Sequence, residues 1–320
     1  MGRFHHNARR RCSWDRIFTA IGVSLCLLTM AACGGGGSAR GAAAATAGYQ
    51  VPQSKHVILV MLENQEYSTV VGNTSVWPNL NRLITQGALP TNYYANVHNS
   101  IGDYFMITTG QVLTTNDQST QVWNVDNIAR RMLASGVSFK VYAEGASRGY
   151  LGGNTGAYVI KHNPFAMLSD VADNPSVADQ VLWPFTQFAT DVAANDLPEF
   201  SFIIPNDYHD GDSGPPPQID AWLQANVLSQ LSNCPAFQPG GDGILIVDFD
   251  EGAFSDSTHG GGHVAPVFWG PNVSVGYTQT SATLYQHQSM LRTVMDALQL
   301  PNPPAAAATA PSMGEFFVQK

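Results

Sequence analysis

The sequence predicts an α/β fold, a mostly parallel sheet with helices on both faces. Three observations lead there. Short apolar runs such as His56–Leu62 (HVILVML) and Ile244–Val247 are continuous rather than alternating, as strands buried on both faces are. These runs alternate with helical segments, the order that a parallel sheet with crossover helices imposes. The 320 residues are 44% hydrophobic and only 12% charged, enough apolar material to bury such a sheet.

The elements follow in order. His56–Leu62 is the first strand, and Trp77–Gly87 (WPNLNRLITQG) is a helix stopped by its glycine. Ile101–Thr109 reads as a short helix and Val125–Ala134 as a longer one. Phe139–Ala143 and Phe200–Ile204 are strands, and Ile219–Leu231 is a helix. Ile244–Val247 and Val264–Trp269 are strands, and Leu284–Leu298 is a final amphipathic helix. No internal repeat is visible. The stretch PNPPAAAATAP, from Pro301, is low-complexity and is expected to drape over the surface or fray.

The first forty residues stand apart. Arg3, Arg9, Arg10, Arg11 and Arg16 precede the apolar run Ile17–Ala32, which is shorter than a membrane span. Met30-Ala31-Ala32-Cys33 and a glycine run come next, a pattern that resembles a bacterial lipobox. Residues 1–33 are therefore expected to be a lipoprotein-type signal ending at Cys33, with ordinary secretion as the alternative. A flexible tether spans 34–50, a catalytic domain 51–303 and a C-terminal tail 304–320. The chain is thus expected to be exported, periplasmic or on the cell surface, touching the membrane only through a lipid anchor, and monomeric. Cys12 and Cys26 leave with the signal and Cys33 carries lipid, so Cys234 has no partner for a disulfide.

Without residues 1–32 the 15 basic and 24 acidic residues fall to ten and 23, a net charge of −13. No Lys/Arg cluster remains to neutralise a polyphosphate backbone, which excludes nucleic acid as partner. A protein this acidic that handles a phosphate must bring positive charge to it locally, from a metal or from histidine.

The polar residues that could do so gather after the predicted strands, where an open α/β sheet places its ligands. Glu63-Asn64 ends the first strand, and Asp250-Glu251 closely follows Ile244–Val247, ahead of a Gly/Ser/His loop and His263. Carboxylates and amide oxygens are hard donors that suit a divalent cation, although an acidic turn would look the same. Phe200–Ile204 runs into Pro205-Asn206-Asp207-Tyr208-His209-Asp210-Gly211-Asp212, a second acidic edge without EF-hand spacing. Ser100 lies where a loop becomes a helix, a place that favours an anion. Ser100 and Asp103 equally spell a capping box. His98 and His162 sit in neighbouring loops.

Taken in sequence, HVILVMLEN, YYANVHNSIGDY, KHNPF, IPNDYHDGD, VDFDEG, GGHVAPVFWGP and YQHQSMLRTVMDALQLP resemble the bacterial phosphoesterase family. That family comprises secreted acid phosphatases and phospholipases C of the alkaline-phosphatase superfamily, and the resemblance spans residues 55 to 301. It implies an alkaline-phosphatase-like α/β/α sandwich and a metal-dependent hydrolase of phosphate esters. It implies that Glu63, Asn64, Asp250 and Glu251 hold a divalent metal ion together with Ser100, the nucleophile. His162 and His209 would contact the phosphate or act on the leaving group, with His98 and His263 lining the same site. The usual nucleophile block, His-Pro-Ser-x-Pro-Asn-Tyr, here reads His98-Asn99-Ser100-Ile101-Gly102-Asp103-Tyr104, so both prolines are gone and Asp replaces Asn. A sulfatase motif, Cys/Ser-x-Pro-x-Arg, is not present at Ser100. A phospholipase C-type phosphodiesterase, a lipid-anchored binder of a phosphorylated solute and an inactive family member are the alternatives.

Overall fold

The computed structural model describes residues 48–319. The expected signal at 1–33, and all but the last three residues of the expected tether, lie outside the described residues. Among the described residues ten strands form, β1 (Val57–Leu62), β2 (Ala88–Leu89), β3 (Tyr93–Tyr94), β4 (Phe139–Ala143), β5 (Leu182–Pro184), β6 (Phe200–Ile204), β7 (Ile244–Phe249), β8 (Val267–Trp269), β9 (Tyr277–Thr278) and β10 (Tyr285–Gln286). Eight of them make one sheet in the order β5-β4-β6-β1-β7-β8-β2-β9, and β10 pairs with β3 separately. Only β8 runs against its neighbours, so the sheet is mostly parallel as the sequence predicts.

The central strands β6, β1 and β7 are buried along their whole length. A sheet achieves that only when both faces are covered, which makes this an α/β/α sandwich and explains the unbroken apolar runs. Each large aliphatic side chain buried in this way contributes about 1.5–3 kcal/mol. The covering helices include Pro78–Gln86, Ser100–Thr109, Ile128–Ser135, Thr186–Ala194, Pro216–Leu223 and His287–Ala297. Gly87 ends the first of these against β8, where a Cβ would lie 2.0 Å from the Phe268 carbonyl oxygen. Only glycine can bring the two backbones that close.

The structure departs from the sequence reading in three places. The predicted helix Ile219–Leu231 starts at Pro216 and contains a π-helical stretch, Gln224–Leu228. Tyr285-Gln286, predicted as helix, is the strand β10, and the helix starts at His287 behind a Gln286/Ser289 capping box. The C-terminal tail neither drapes nor frays. Ala307, Met313, Phe316 and Phe317 belong to the core, and Phe316 stacks on Phe268 with ring centroids 5.5 Å apart. The alanine-rich composition hid this because the apolar anchors come only after it. Gln319 also exchanges hydrogen bonds with the Gln50 backbone at 2.8 and 3.2 Å, tying the two ends together.

Phe316→Ala is therefore expected to lower the unfolding free energy by about 3–5 kcal/mol, the cost of a buried aromatic cavity, read from denaturant or thermal unfolding. A change within about 0.5 kcal/mol would mean that the tail is not part of the core.

Candidate active site

Five of the parallel strands point their C-terminal ends the same way, and the polar residues follow those ends. β1 and β7 are in register through Leu62 and Phe249, so Glu63 and Asp250 leave the sheet side by side. The Asp250 amide donates to the Leu62 carbonyl and the Glu63 amide to the Asp210 carbonyl, both at 2.9 Å. These bonds carry the order of the sheet into the loops.

Glu63 is the hub. Its carboxylate accepts the Ser100 hydroxyl at 2.9 Å and the Tyr104 hydroxyl at 2.6 Å. His162 Nε2 lies 3.2 Å from it, and His162 Nδ1 lies 3.0 Å from Asp210. Glu63, His162 and Asp210 are fully buried, and one donor atom of each falls within 4.8 Å of the others. Lys161 Nζ donates to Asp212 at 2.8 Å and approaches Ser100 Oγ at 3.4 Å.

Asp250 and Glu251 close the other side. Asp250 Oδ1 accepts the amides of Asn64 (3.1 Å) and Glu251 (2.6 Å). Asp250 Oδ2 and Asn64 Oδ1 are buried without a hydrogen-bond partner, as are both ring nitrogens of His162 and Asp210 Oδ2. Buried polar atoms are ordinarily satisfied. The open oxygens of Asn64, Asp210 and Asp250 beside Glu63 are hard donors that suit a divalent cation, and His162 offers a nitrogen once it gives up its proton, so the residues present fit a metal. Glu251 Oε2 turns to His98 Nδ1 at 2.5 Å and the Asn99 amide at 3.2 Å. His98 Nε2 donates to the Asp256 carbonyl at 2.8 Å.

The charges are finely set. Burial opposes ionisation of Glu63, but His162 and Lys161 outweigh it and hold the carboxyl at about 2. Burial also opposes the imidazolium of His162, and Glu63 and Asp210 outweigh it, raising its pKa to about 10. Burial pushes Asp210 up to about 6, Asp103 and Glu251 up to about 7, and Asp250 well above the carboxylate range. These carboxyls cannot all ionise without an added cation.

Behind the cluster lies a second buried network. Tyr93 donates to Asp248 at 2.9 Å, so the His287 Nδ1 2.9 Å away must donate to the Tyr93 oxygen. His287 Nε2 donates to the Asp250 carbonyl at 2.6 Å. With both nitrogens protonated His287 is an imidazolium; Asp248 and Asp103, 3.5 and 3.6 Å away, stabilise that charge against burial and raise its pKa to about 9.

The sequence placed Glu63, Asn64, Ser100, His162, Asp250 and His98 in or beside this cluster, and the structure brings them together. Four expectations are corrected. His209 pairs with Glu144 at 2.9 Å and stacks on Trp222, while the next residue, Asp210, faces the cluster. In a helical turn adjacent side chains diverge by about 100°, so only one of the two can point inward. His263 lies between Tyr67 and Tyr94, bonded to the Thr91 carbonyl, and burial lowers its pKa, leaving it a neutral structural residue. Glu251 gives its Oε2 to His98 and the Asn99 amide, which leaves only Oε1 for the expected ligand role. The Ser100/Asp103 capping box does not form, because Ser100 bonds Glu63 and Asp103 accepts the Asn96 amide.

The altered block has a backbone reason. Asn99 holds φ at +84°, which a proline ring cannot take. At Gly102 a Cβ would lie 2.6 Å from Val97. Asp103 puts a carboxyl beside His287, where asparagine would offer no charge. Lys161, Tyr104, Asp248 and His287 were not singled out by the sequence, and Asp210 and Asp212 entered only as part of an acidic edge. The quoted motifs held all six, but only tertiary contact shows which neighbour points inward.

Fold and site together define an enzyme of the α/β class whose carboxyl cluster sits at the C-terminal edge of a mostly parallel sheet. The model of the Phosphoesterase family matches residues 73–301, from just after Glu63-Asn64 to the end of the last long helix. The chain belongs to the Phosphoesterase family and is a phosphoric ester hydrolase. A phosphatidylinositol-3-phosphatase of Mycobacterium tuberculosis is 29% identical over 271 residues, 83% of this chain and 84% of that protein. An acid phosphatase of Aspergillus fumigatus is 28% identical over 258 residues, 76% of this chain and 54% of that protein. The chain spans about half the length of the fungal phosphatases it matches. Among solved structures, an alkaline-phosphatase-superfamily protein from Vibrio parahaemolyticus shares the fold with a TM-score of 0.51 at 13% identity, covering 80% of this chain and 68% of that one. A sulfatase from Pseudoalteromonas sp. does so at 0.52 and 10%, covering 83% and 72%.

Two outcomes follow from the geometry. His162→Ala is expected to weaken zinc or manganese binding about tenfold or more, and His209→Ala to leave it unchanged, by calorimetric titration. Asp103, Asp210 and Glu251 have folded pKa values above their unfolded ones, so their contribution is complete below about pH 4 and is lost as pH rises to about 7. His162, raised to about 10, has the same sign at higher pH, while Glu63, held low, contributes fully above about pH 4.5 and loses that contribution as pH falls toward about 2. The metal-free protein should lose at least about 5 °C in Tm between pH 5 and 8, and a divalent cation should flatten that slope.

Proposed function

We propose that the chain is an exported, metal-dependent phosphomonoesterase of the acid-phosphatase type, with Ser100 as its nucleophile. One observation carries the reading. A buried serine at a helix start has its hydroxyl fixed by a carboxylate that also belongs to a candidate metal cluster. Glu63, His162 and Asp210 would hold the ion, with Asn64 and Asp250 offering their open oxygens beside it. When bound, a divalent ion lowers the pKa of a neighbouring hydroxyl and neutralises phosphoryl oxygens.

The chain's own residues supply the rest. Glu63 sets the hydroxyl rotor through Ser100, and Tyr104 fixes the other oxygen of Glu63. The Ser100 oxygen bonds phosphorus as the bond to the ester oxygen breaks, and the electron pair leaves with that oxygen. The serine proton passes to a neighbouring carboxylate. Water then displaces the serine oxygen and releases inorganic phosphate. Export rests on the basic and apolar start of the chain, and Cys33 is the proposed site of lipid attachment. The phosphatidylinositol-3-phosphatase relative makes a phosphomonoester on a lipid headgroup one substrate to try.

With p-nitrophenyl phosphate as substrate, EDTA should abolish turnover and Ser100→Ala should lower kcat by about 10³ or more, with bis(p-nitrophenyl) phosphate the poorer substrate. Full metal-dependent activity in Ser100→Ala would end the nucleophile assignment. Preference for the bis-ester would point instead to the phosphodiesterase.

A further inference from the structure

We propose that Lys161 is a catalytic residue, whose ammonium seats the phosphoryl oxygens of the substrate over Ser100. The inference rests on the reading of Ser100 as nucleophile and adds to it the cation that the acidic composition seemed to deny. Sequence reasoning saw no cluster of basic residues near the motifs. The structure puts Lys161 Nζ 3.4 Å from Ser100 Oγ.

The local fold explains the position. Ile160–His162 is a single 3₁₀ turn, so consecutive side chains leave it in different directions. His162 goes inward to Glu63 and Asp210, and Lys161 goes to Ser100 and Asp212. The lysine side chain is only 17% exposed. An ammonium serving merely as a surface ion pair gains little, commonly under about 1 kcal/mol, and has no cause to be drawn in against a hydroxyl. Its partner Asp212 is more exposed, at 28%, and is also held by the Asn64 side chain. That leaves Nζ tethered by a partner that itself reaches solvent.

Charge makes the case stronger. A phosphomonoester brings up to two negative charges to a cluster that already holds Glu63, Asp210, Asp250 and Glu251. The amide of Ile101, the second residue of the Ser100–Thr109 helix, is already given to Asp117 at 3.2 Å. The helix start therefore does not have that donor to offer. Among the described residues, the other Lys/Arg ion pairs are Arg130–Asp170, Arg131–Asp126, Lys140–Asp191, Arg148–Asp179 and Arg292–Asp296, none with a residue of this cluster. Lys161 alone among them touches the attacking oxygen.

In the step, the bond from Ser100 Oγ to phosphorus forms as the phosphorus–ester oxygen bond breaks, and that pair of electrons departs with the ester oxygen. The serine proton goes to a neighbouring carboxylate. Lys161 keeps its own protons throughout and turns its N–H bonds from Asp212 toward the non-bridging oxygens, where charge collects in the transition state.

The test uses the full chain loaded with its metal and four readouts: kcat/KM on p-nitrophenyl phosphate, inhibition by inorganic phosphate, metal affinity and Tm. Lys161→Gln should lower kcat/KM about 10²–10³-fold and weaken inhibition by phosphate about tenfold, with metal affinity and Tm preserved. Lys161→Arg, which keeps the charge, should recover part of both losses. Unchanged phosphate inhibition in Lys161→Gln, or a loss of activity matched by a loss of metal affinity, overturns the proposal. Calorimetric phosphate binding to Ser100→Ala, with and without Lys161→Gln, separates the two readings. Turnover by Ser100→Ala would sink the nucleophile alone. Equal phosphate affinity in the single and double variants would sink Lys161 alone.

Discussion

Six carboxyl groups, Glu63, Asp103, Asp210, Asp248, Asp250 and Glu251, lie at or below 1% exposure around one end of a sheet. Negative charge at that density is tolerable in a protein interior only if cations come with it. The molecule brings three of its own. His162 stands between Glu63 and Asp210, His287 among Asp103, Asp248 and the Asp250 carbonyl, and Lys161 against Asp212. With Asp212 the acids number seven against three positive groups, and the open oxygens of Asn64, Asp210 and Asp250 mark the side left without one. The candidate metal centre is the place where the electrostatics of the fold remain incomplete.

That arrangement needs a rigid frame, and β1, β6 and β7 provide it. The two networks also share a wall. His287 grips the carbonyl of Asp250 while Asp250 receives the amides of Asn64 and Glu251, so the turn after β7 is fixed from both sides. Replacing the usual asparagine by Asp103 fits this design, since it places a second acid beside the His287 imidazolium. The changed nucleophile block is thus coupled to the support behind the metal edge, and its positive-φ Asn99 is a backbone solution that proline would forbid.

Much of this was legible in the sequence because it is written locally. An apolar run followed by Glu63-Asn64, or by Asp250-Glu251, declares both a buried strand and its polar end within nine residues. The parallel sheet, most of the long helices and the position of Ser100 follow from such short-range patterns. What escaped depends on rotation and distance. His209 and Asp210 differ only in which side of one turn they occupy, and the choice is made by Trp222 and Glu144. Lys161 looked like an incidental neighbour of His162. The pairing of Tyr93 with Asp248 and His287 spans nearly two hundred positions and leaves no mark at any one of them. The buried tail was hidden for the opposite reason, since its alanines suggested disorder and its anchors, Met313 and Phe316, lie past them.

The placement of Phe316-Phe317 matters beyond the cavity it fills. The pair covers β8, and Gln319 ties back to Gln50, so segments 269 positions apart close the same face. Stripping those rings away would leave an apolar side of β8 open to solvent, the kind of patch on which partly folded chains associate.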